Sequence, residues 1–496
     1  MEIDWLKRWN LYSPERIALK DGETGKAMTY RQLFHATLLK ARELKEHFQI
    51  QKGDRIAVLA MNELEYVVLF FAAQRVGAIL VPLNFRLTYR EIEHIVSDSE
   101  PKLLVYQEAF KDTAERLYEA RQIRQKTLLS APSSQRTETD AETSQDFTGA
   151  PSDPVMILYT SGTTGAPKGA ILTHEMLFWN SINTTLRLNL SQQDCTVIFL
   201  PFFHTGGWNV LTTPILHRGG EIVLLKKFDG EKILELSASE KATILFGVPT
   251  TMEMMARSPK FDHVDLSTLR YAIVGGEPMP VPLIKKWDAK GVPIRQGYGL
   301  TEFGPNVFSL NEEDAIRKIG SIGFPNFYID AKVVDNEDRE LGTDEIGELV
   351  LRGAMCMQGY WKNEKATRET IRDGWLHTGD LVRRDHEGYY YVVGRKKDMY
   401  ISGGENVYPP ELEQVIRSLP GIREVAVVGI PDEKWGEVGK AFVVKDHESL
   451  TEADIQQHCL KNLAKFKIPK YFVFMSELPK GDSGKILKRK LLELAP

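Results

Sequence analysis

"LYTSGTTGAPKGAILTH", residues 158–174, concentrates glycines, hydroxyl side chains and one lysine directly after an apolar run. Gly162, Gly165 and Gly169 let a ligand approach the backbone closely. Thr160, Ser161, Thr163 and Thr164 supply hydrogen-bond donors, and Lys168 adds a mobile positive charge. This is the chemistry of a phosphate cradle. It is not a Walker loop, which requires GxxxxGK[ST]: here Pro167 precedes Lys168 and Gly169 follows it. On its own the stretch is also compatible with a flexible glycine turn whose polar residues are simply solvated.

The surrounding sequence reads as α/β. "VMILYT" (155–160) is a buried strand leading into the loop. Upstream, "MTYRQLFHATLLKARELKEHF" (28–48) has helical periodicity, "DRIAVLA" (54–60) is a short strand, "YVVLFFAAQRVGA" (66–78) is helix and "KLLVYQ" (102–107) is strand. Such alternation predicts parallel sheet covered on both faces. Residues 127–153, rich in Ser, Thr, Asp and Pro, read as a surface connection. "IDAKVVD" (329–335), "GELVLRG" (347–353) and "YYYVVGR" (389–395) form a strand-rich section. After "GRKKDMY" (394–400) the pattern becomes α+β: "PPELEQVIRSL" (409–419) is a helix with Pro at its start, "REVAVVGI" (423–430) and "GKAFVVK" (439–445) are strands, and "TEADIQQHCLKNLA" (451–464) is a helix with a Thr cap.

A chain of 496 residues exceeds one compact core, so two or more domains are expected. With 42% hydrophobic and 26% charged residues the composition is that of an ordinary globular protein, and a net charge of −5 gives no reason to expect nucleic-acid binding. Cys195, Cys356 and Cys459 form neither a CxxC pair nor an even disulfide set, which points to inert thiols in a reducing compartment. "MEIDWLKRWN" lacks the apolar core of a signal peptide, and "LELAP" is no peroxisomal or retention signal. The most apolar run, residues 66–83, is broken by Arg75 and too short before it to span a bilayer. A cytoplasmic protein without a transmembrane segment is expected.

Further clusters carry chemistry. "GYGLTE" (297–302) groups Gly297, Tyr298, Gly299, Thr301 and Glu302: an aromatic face that can stack on a base, and a hard oxygen ligand suited to Mg2+. A helix cap after a turn would account for only part of it. "VGGEPMP" (274–280) places Gly276 and Glu277 after a strand. "GWLHTGD" (374–380) ends in Asp380, a carboxylate suited to accepting two hydroxyl hydrogen bonds from a ribose diol, or else an ordinary turn. "GRKKDMYISGGENVYPPELE" (394–413) reads as a charged linker followed by a turn. "PKGDSGKILKRKL" (479–491) puts Lys485 on a glycine-flanked basic loop that is otherwise a solvated tail.

Taken together and in this order, these motifs resemble the adenylate-forming superfamily, which includes acyl-CoA synthetases, peptide-synthetase adenylation domains and beetle luciferase. The resemblance covers nearly the whole chain. It implies a large N-terminal adenylation domain (1–394) with parallel sheets and a strand-rich subdomain, and a small mobile C-terminal α+β domain (395–496). It further implies that residues 160–169 hold the β and γ phosphates, that Gly276 and Glu277 lie by adenine, that Tyr298 packs on it, and that Thr301 contacts the α-phosphate. By the same resemblance Glu302 would hold Mg2+, with Thr160 as a second ligand, Asp380 and Arg395 would bind the ribose, Lys397 would be the hinge, and Lys485 would be the catalytic lysine. Many members carry Asp at the hinge, where this chain has Lys.

For the acid, "PFFHTGGWNVL" (201–211) matches the border of the acyl pocket. His204 falls on an aromatic or histidine position, and Trp208 where some long-chain enzymes carry a gating tryptophan, although a core Trp is the plainer reading. Amino-acid-activating members place an aspartate here; none is present. For the thiol, Ser402, Gly403, Gly404 and Glu405 would line the tunnel, and "IPDEKWGEVGKAFVV" (430–444) offers Trp435 and Lys440 toward the CoA nucleotide. With no carrier domain within the 496 residues, a free-standing enzyme using ATP and CoA is expected. The leading reading is a medium- or long-chain fatty acyl-CoA ligase. An aryl or o-succinylbenzoyl acid–CoA ligase, a ligase loading a carrier protein, a luciferase-like oxygenase and a non-catalytic nucleotide-binding scaffold stand as rivals. Peripheral membrane contact and a homodimer are compatible with the sequence.

Overall fold

The computed structural model describes residues 1–120, 123–131, 147, 149–160, 167–446, 450–481 and 485–494. The chain divides into two compact units, residues 1–331 with 351–376, and residues 332–350 with 377–496.

The first unit is built on two sheets. One is seven-stranded, in the order Gly359–Tyr360, Lys168–Thr173, Pro154–Thr160, Ile79–Pro82, Arg55–Leu59, Leu103–Tyr106 and Gln125–Leu128. Its pairings from Pro154–Thr160 to Gln125–Leu128 are parallel, as the strand–helix alternation predicts. The helix Leu64–Val76 is buried almost throughout, which explains its largely apolar sequence, and Gly77 closes it with a left-handed φ of 72°. The helix Tyr30–Glu46 starts in a capping box between Thr29 and Gln32. The second sheet runs Ser321–Pro325, Gly304–Ser309, Ile294–Leu300, Tyr271–Val274, Ile244–Gly247, Cys195–Ile198, Glu221–Leu224, Ile17–Asp21 and Ala27–Thr29. Helices on its flank bury Trp287, Met252 and Met255 against Leu245, Ala272 and Val274.

The second unit holds the strand-rich section, ordered Asp330–Val334, Gly347–Arg352, Trp375–Arg384, Tyr390–Arg395, and then the α+β part. In the α+β part the long hairpin Ile422–Asp432 and Gly436–Lys445 alternates with a period of two. Val425, Val427, Ala441 and Val443 face Leu412, Ile416, Ile455 and Cys459 of the helices Pro409–Arg417 and Glu452–Asn462. Ala426, Val428, Phe442 and Val444 face Leu478 and Leu491 on the opposite side. The architecture is therefore α/β with parallel sheets in a large N-terminal part and a smaller C-terminal α+β part. Cys195, Cys356 and Cys459 are free thiols, and no helix among the described residues is long and apolar enough to cross a membrane.

Candidate active site

The hairpin Pro154–Thr160 and Lys168–Thr173 carries the glycine-rich loop. Thr160 and Lys168 face each other at its base, so the hydroxyl and the cation share one cross-strand pair. Ser161, Gly162, Thr163, Thr164 and Gly165 lie outside the described residues. Gly169 sits under the hairpin, where a Cβ would meet Ile157 Cγ2 at 2.6 Å.

The strands Tyr271–Val274 and Ile294–Leu300 are parallel neighbours, and "VGGE" and "GYGLTE" emerge side by side at their carboxyl ends. In open α/β sheets this is where ligands bind. A Cβ on Gly275 would stand 3.4 Å from Gly297 O, so the two segments adjoin, with Gly276 and Glu277 exposed beyond them. Tyr298 is half-buried and meets Phe308 edge-on at 5.8 Å. Gly299 is required by space, since a Cβ there would lie 2.2 Å from Pro305 O. Thr301 and Glu302 form the single 3-10 turn that follows. Glu302 Oε1 accepts from the Thr160 hydroxyl at 3.3 Å and from the Tyr360 hydroxyl at 3.0 Å, and Lys168 Nζ stands 5.2 Å above the Tyr360 ring. The structure thus brings Thr160, Lys168, Thr301 and Glu302 together within the first unit.

Residues 201–205 turn after the strand Cys195–Ile198 and lead into a single π-helical turn, Gly206–Val210. The buried side chain of Asn62 fixes the start of this segment, accepting from the Phe202 N–H at 3.1 Å and donating to Leu200 O at 3.0 Å. His204 is half-buried beside Phe203. Trp208 is 0% exposed and stacks on Phe202 at 4.0 Å and on Phe70 at 4.4 Å.

In the second unit Asp380 and Arg395 are cross-strand partners, with Arg395 Nε 3.0 Å from Asp380 Oδ1. Gly379, at φ 72°, makes the turn into Asp380. Its N–H donates to Glu348 Oε1 at 3.1 Å, and Glu348 also faces Lys396 Nζ at 3.2 Å and His377 Nδ1 at 3.4 Å. Burial alone would raise the Glu348 carboxyl, but the Lys396 ammonium and then His377 outweigh it and hold the carboxyl below its ordinary value. Lys397 is exposed in the turn that follows. Gly403 and Gly404 form the tip of the hairpin Tyr400–Ser402 and Glu405–Val407, and the Gly403 N–H donates to Trp435 O at 2.8 Å. Trp435 is 45% exposed, while Lys440 is half-buried farther along Gly436–Lys445. Lys485 is exposed on the turn closed by the Lys480 and Ile486 bridge, with its carbonyl accepting from Gly481 N–H at 2.8 Å.

Comparison with known proteins decides what this arrangement belongs to. The AMP-binding enzyme family matches residues 6–361, and the AMP-binding enzyme C-terminal domain matches residues 411–485. The chain belongs to the AMP-binding, adenylate-forming superfamily. It is an acyl-CoA ligase of the AMP-forming type. The ligase is 38% identical over 485 residues to a feruloyl-CoA synthase from an Amycolatopsis species, with 98% of this chain and 97% of the relative covered. It is 37% identical over 498 residues to a long-chain-fatty-acid–CoA ligase from Mycobacterium tuberculosis, covering 99% and 98%. Among solved structures it resembles o-succinylbenzoate coenzyme A synthetase from Bacillus subtilis in complex with ATP and magnesium ion, at TM-score 0.86, 30% identity and 99% of each chain.

The ligase's own residues fit a magnesium ion shared with the nucleotide. Among the described residues Glu302 has no ion-pair partner, its Oε2 receives no hydrogen bond, and no cluster of three or more His, Cys, Asp or Glu forms a protein cage. One carboxylate beside a hydroxyl suits Mg2+, which keeps water and takes phosphate oxygens as its other ligands. One group in each unit escapes the sequence reading. Tyr360 stands on a two-residue edge strand, too short to show alternation, and Glu348 was read only as part of a strand.

Proposed function

We propose that the ligase activates a fatty acid of medium or long chain, converting it with ATP to acyl-AMP and pyrophosphate and then transferring the acyl group to CoA with release of AMP. The observation that carries the choice of acid is the wall at 201–211: Phe202, Phe203, Trp208 and Val210 are buried and no Asp, Glu, Lys or Arg stands among them. Such a wall offers no carboxylate to pair a substrate ammonium, and it favours an uncharged tail. His204 and Trp208 border the acyl end in this reading.

The chemistry follows from what carboxylates lack. Oxide is a poor leaving group, so attack of the acid on the α-phosphorus, expelling pyrophosphate, replaces it with AMP. Two anions must meet in that step, and Lys485 is assigned the charge between them, with Thr301 at the α-phosphate. The loop 160–169, with Lys168 and the hydroxyls of Thr160, Ser161, Thr163 and Thr164, holds the phosphates that leave. Glu302, with Thr160, would hold Mg2+, which when bound neutralises phosphate charge. Gly276, Glu277, Gly297, Tyr298 and Gly299 frame the adenine, and Asp380 with Arg395 the ribose. In the second step Ser402 to Glu405, Trp435 and Lys440 serve the CoA side, with the C-terminal domain turning about a hinge at Lys397.

A second reading, an aryl acid such as a hydroxycinnamate, is favoured by the aromatic character of the same wall and by the likeness to a feruloyl-CoA synthase. Acid-dependent pyrophosphate release, measured with fatty acids of graded length, ferulate and o-succinylbenzoate, separates the two. Highest kcat/KM on a fatty acid supports the proposal; highest kcat/KM on either aryl acid overturns it. Apolar walls discriminate by only about 1–3 kcal/mol per methylene, so neighbouring chain lengths should differ modestly.

A further inference from the structure

We propose that Tyr360 is a positioning residue that orients the Glu302 carboxylate toward the nucleotide-bound cation and keeps Lys168 from capturing it. The inference rests on the reading of Glu302 as the cation-binding carboxylate.

The geometry is specific. The phenol donates to Glu302 Oε1 at 3.0 Å, and Thr160 approaches the same oxygen at 3.3 Å. Two donors on one oxygen fix the plane of the carboxylate and leave Oε2 to a ligand. The other face of the problem is Lys168, whose ammonium lies 5.2 Å from the centre of the Tyr360 ring. A cation–π contact holds that ammonium without neutralising it. Among the described residues neither Glu302 nor Lys168 has an ion-pair partner, although both touch Tyr360. One neutral side chain therefore holds apart a carboxylate needed for a cation and a lysine needed for phosphate.

The backbone makes this a rigid mount. Tyr360 pairs with Ala170 and Gly359 with Ile171, on the strand that begins at Lys168. The Tyr360 N–H donates to Thr367 Oγ1 at 2.9 Å, the Trp361 N–H to Gly169 O at 2.7 Å, and the Met357 N–H to Glu302 O at 2.8 Å. Residues 357–361 are thus stitched to both groups that the side chain touches.

The test uses the full chain as wild type, Tyr360→Phe, Glu302→Gln and the double variant. Mn2+ is titrated in the presence of α,β-methylene-ATP, with free Mn2+ followed by electron paramagnetic resonance. Tyr360→Phe preserves the ring under Lys168 and should weaken Mn2+ binding roughly 3–10-fold, the net worth of about one ordinary hydrogen bond, since the phenol acts on the cation only through Glu302. In the Glu302→Gln background the same change should add nothing, as expected of two residues acting through one contact. The far-ultraviolet circular dichroism spectra of the four proteins should superimpose, which a general folding defect would not allow. Unaltered Mn2+ binding in Tyr360→Phe, or a full additive loss in the double variant, overturns the proposal. Failure of the functional reading is separately visible, since wild-type protein would then release no pyrophosphate with any acid.

Discussion

Arg395 Nε lies 3.0 Å from Asp380 Oδ1, and the two residues are in register on antiparallel strands. Asp380 is 7% exposed and Arg395 51%, so the carboxylate is sheltered while the guanidinium reaches outward. A sheltered anion oriented by a neighbouring cation suits a diol. Asp380→Asn keeps the shape and removes the charge. The KM for ATP in acid-dependent pyrophosphate release should rise by roughly one order of magnitude, the worth of about one charged hydrogen bond. An unchanged KM would remove Asp380 from the nucleotide site.

Lys485→Ala should abolish acyl-AMP formation yet leave thioester formation from supplied acyl-AMP and CoA within about threefold of wild type. Single-turnover assays of the two half-reactions check this. An equal fall in both would refute a role confined to the first step.

Gly299→Ala places a methyl where Pro305 O stands 2.2 Å away, between strands that already carry a register shift at Tyr298 and Leu300. The backbone must move, at a cost of about 1–3 kcal/mol by the usual penalty of overpacking. We expect a lower urea midpoint together with loss of pyrophosphate release. A variant as stable and as active as wild type would show that the two strands are not held in this contact.

His174 and His217 are buried, and burial above all holds each down to about 4. Asp153 partly offsets this for His174, while Lys52 adds to it there and Arg218 adds to it for His217. The unfolded chain takes up these protons near pH 6.5, so stability should fall as pH drops from about 6.5 to about 4 and lose no more from these groups below that. His217 Nδ1 is 2.7 Å from Ser181 Oγ, and its ring stacks on Trp5 at 4.1 Å. His217→Gln should therefore lower stability at neutral pH but flatten its pH dependence, measured as urea midpoints at about pH 7, 5.5 and 4.5. An identical slope in the variant contradicts the assignment.

Much of the architecture was legible in the sequence because its signals are local. The Thr cap before Glu452, the Pro start at Pro409 and the apolar run of Leu64–Val76 each report a structure that the neighbouring residues determine. Thr160 and Glu302 stood in motifs that could be read separately, but their approach to 3.3 Å spans 142 positions and two sheets. Tyr360 was invisible for a different reason. Its partners are Glu302 and Lys168, both distant in sequence, and its strand is two residues long. Glu348 gave only an apolar strand pattern, and the value of its carboxylate depends on His377 and Lys396 arriving from elsewhere.

Lys396 is fastened twice, by its N–H to Gly379 O at 2.9 Å and by its ammonium to buried Glu348. If the chain swivels one residue later, at Lys397, the bearing is anchored in the sheet that presents Asp380 and Arg395. The sugar would then be gripped in the same register before and after the swing, and one nucleotide could stay seated while the tools around it are exchanged.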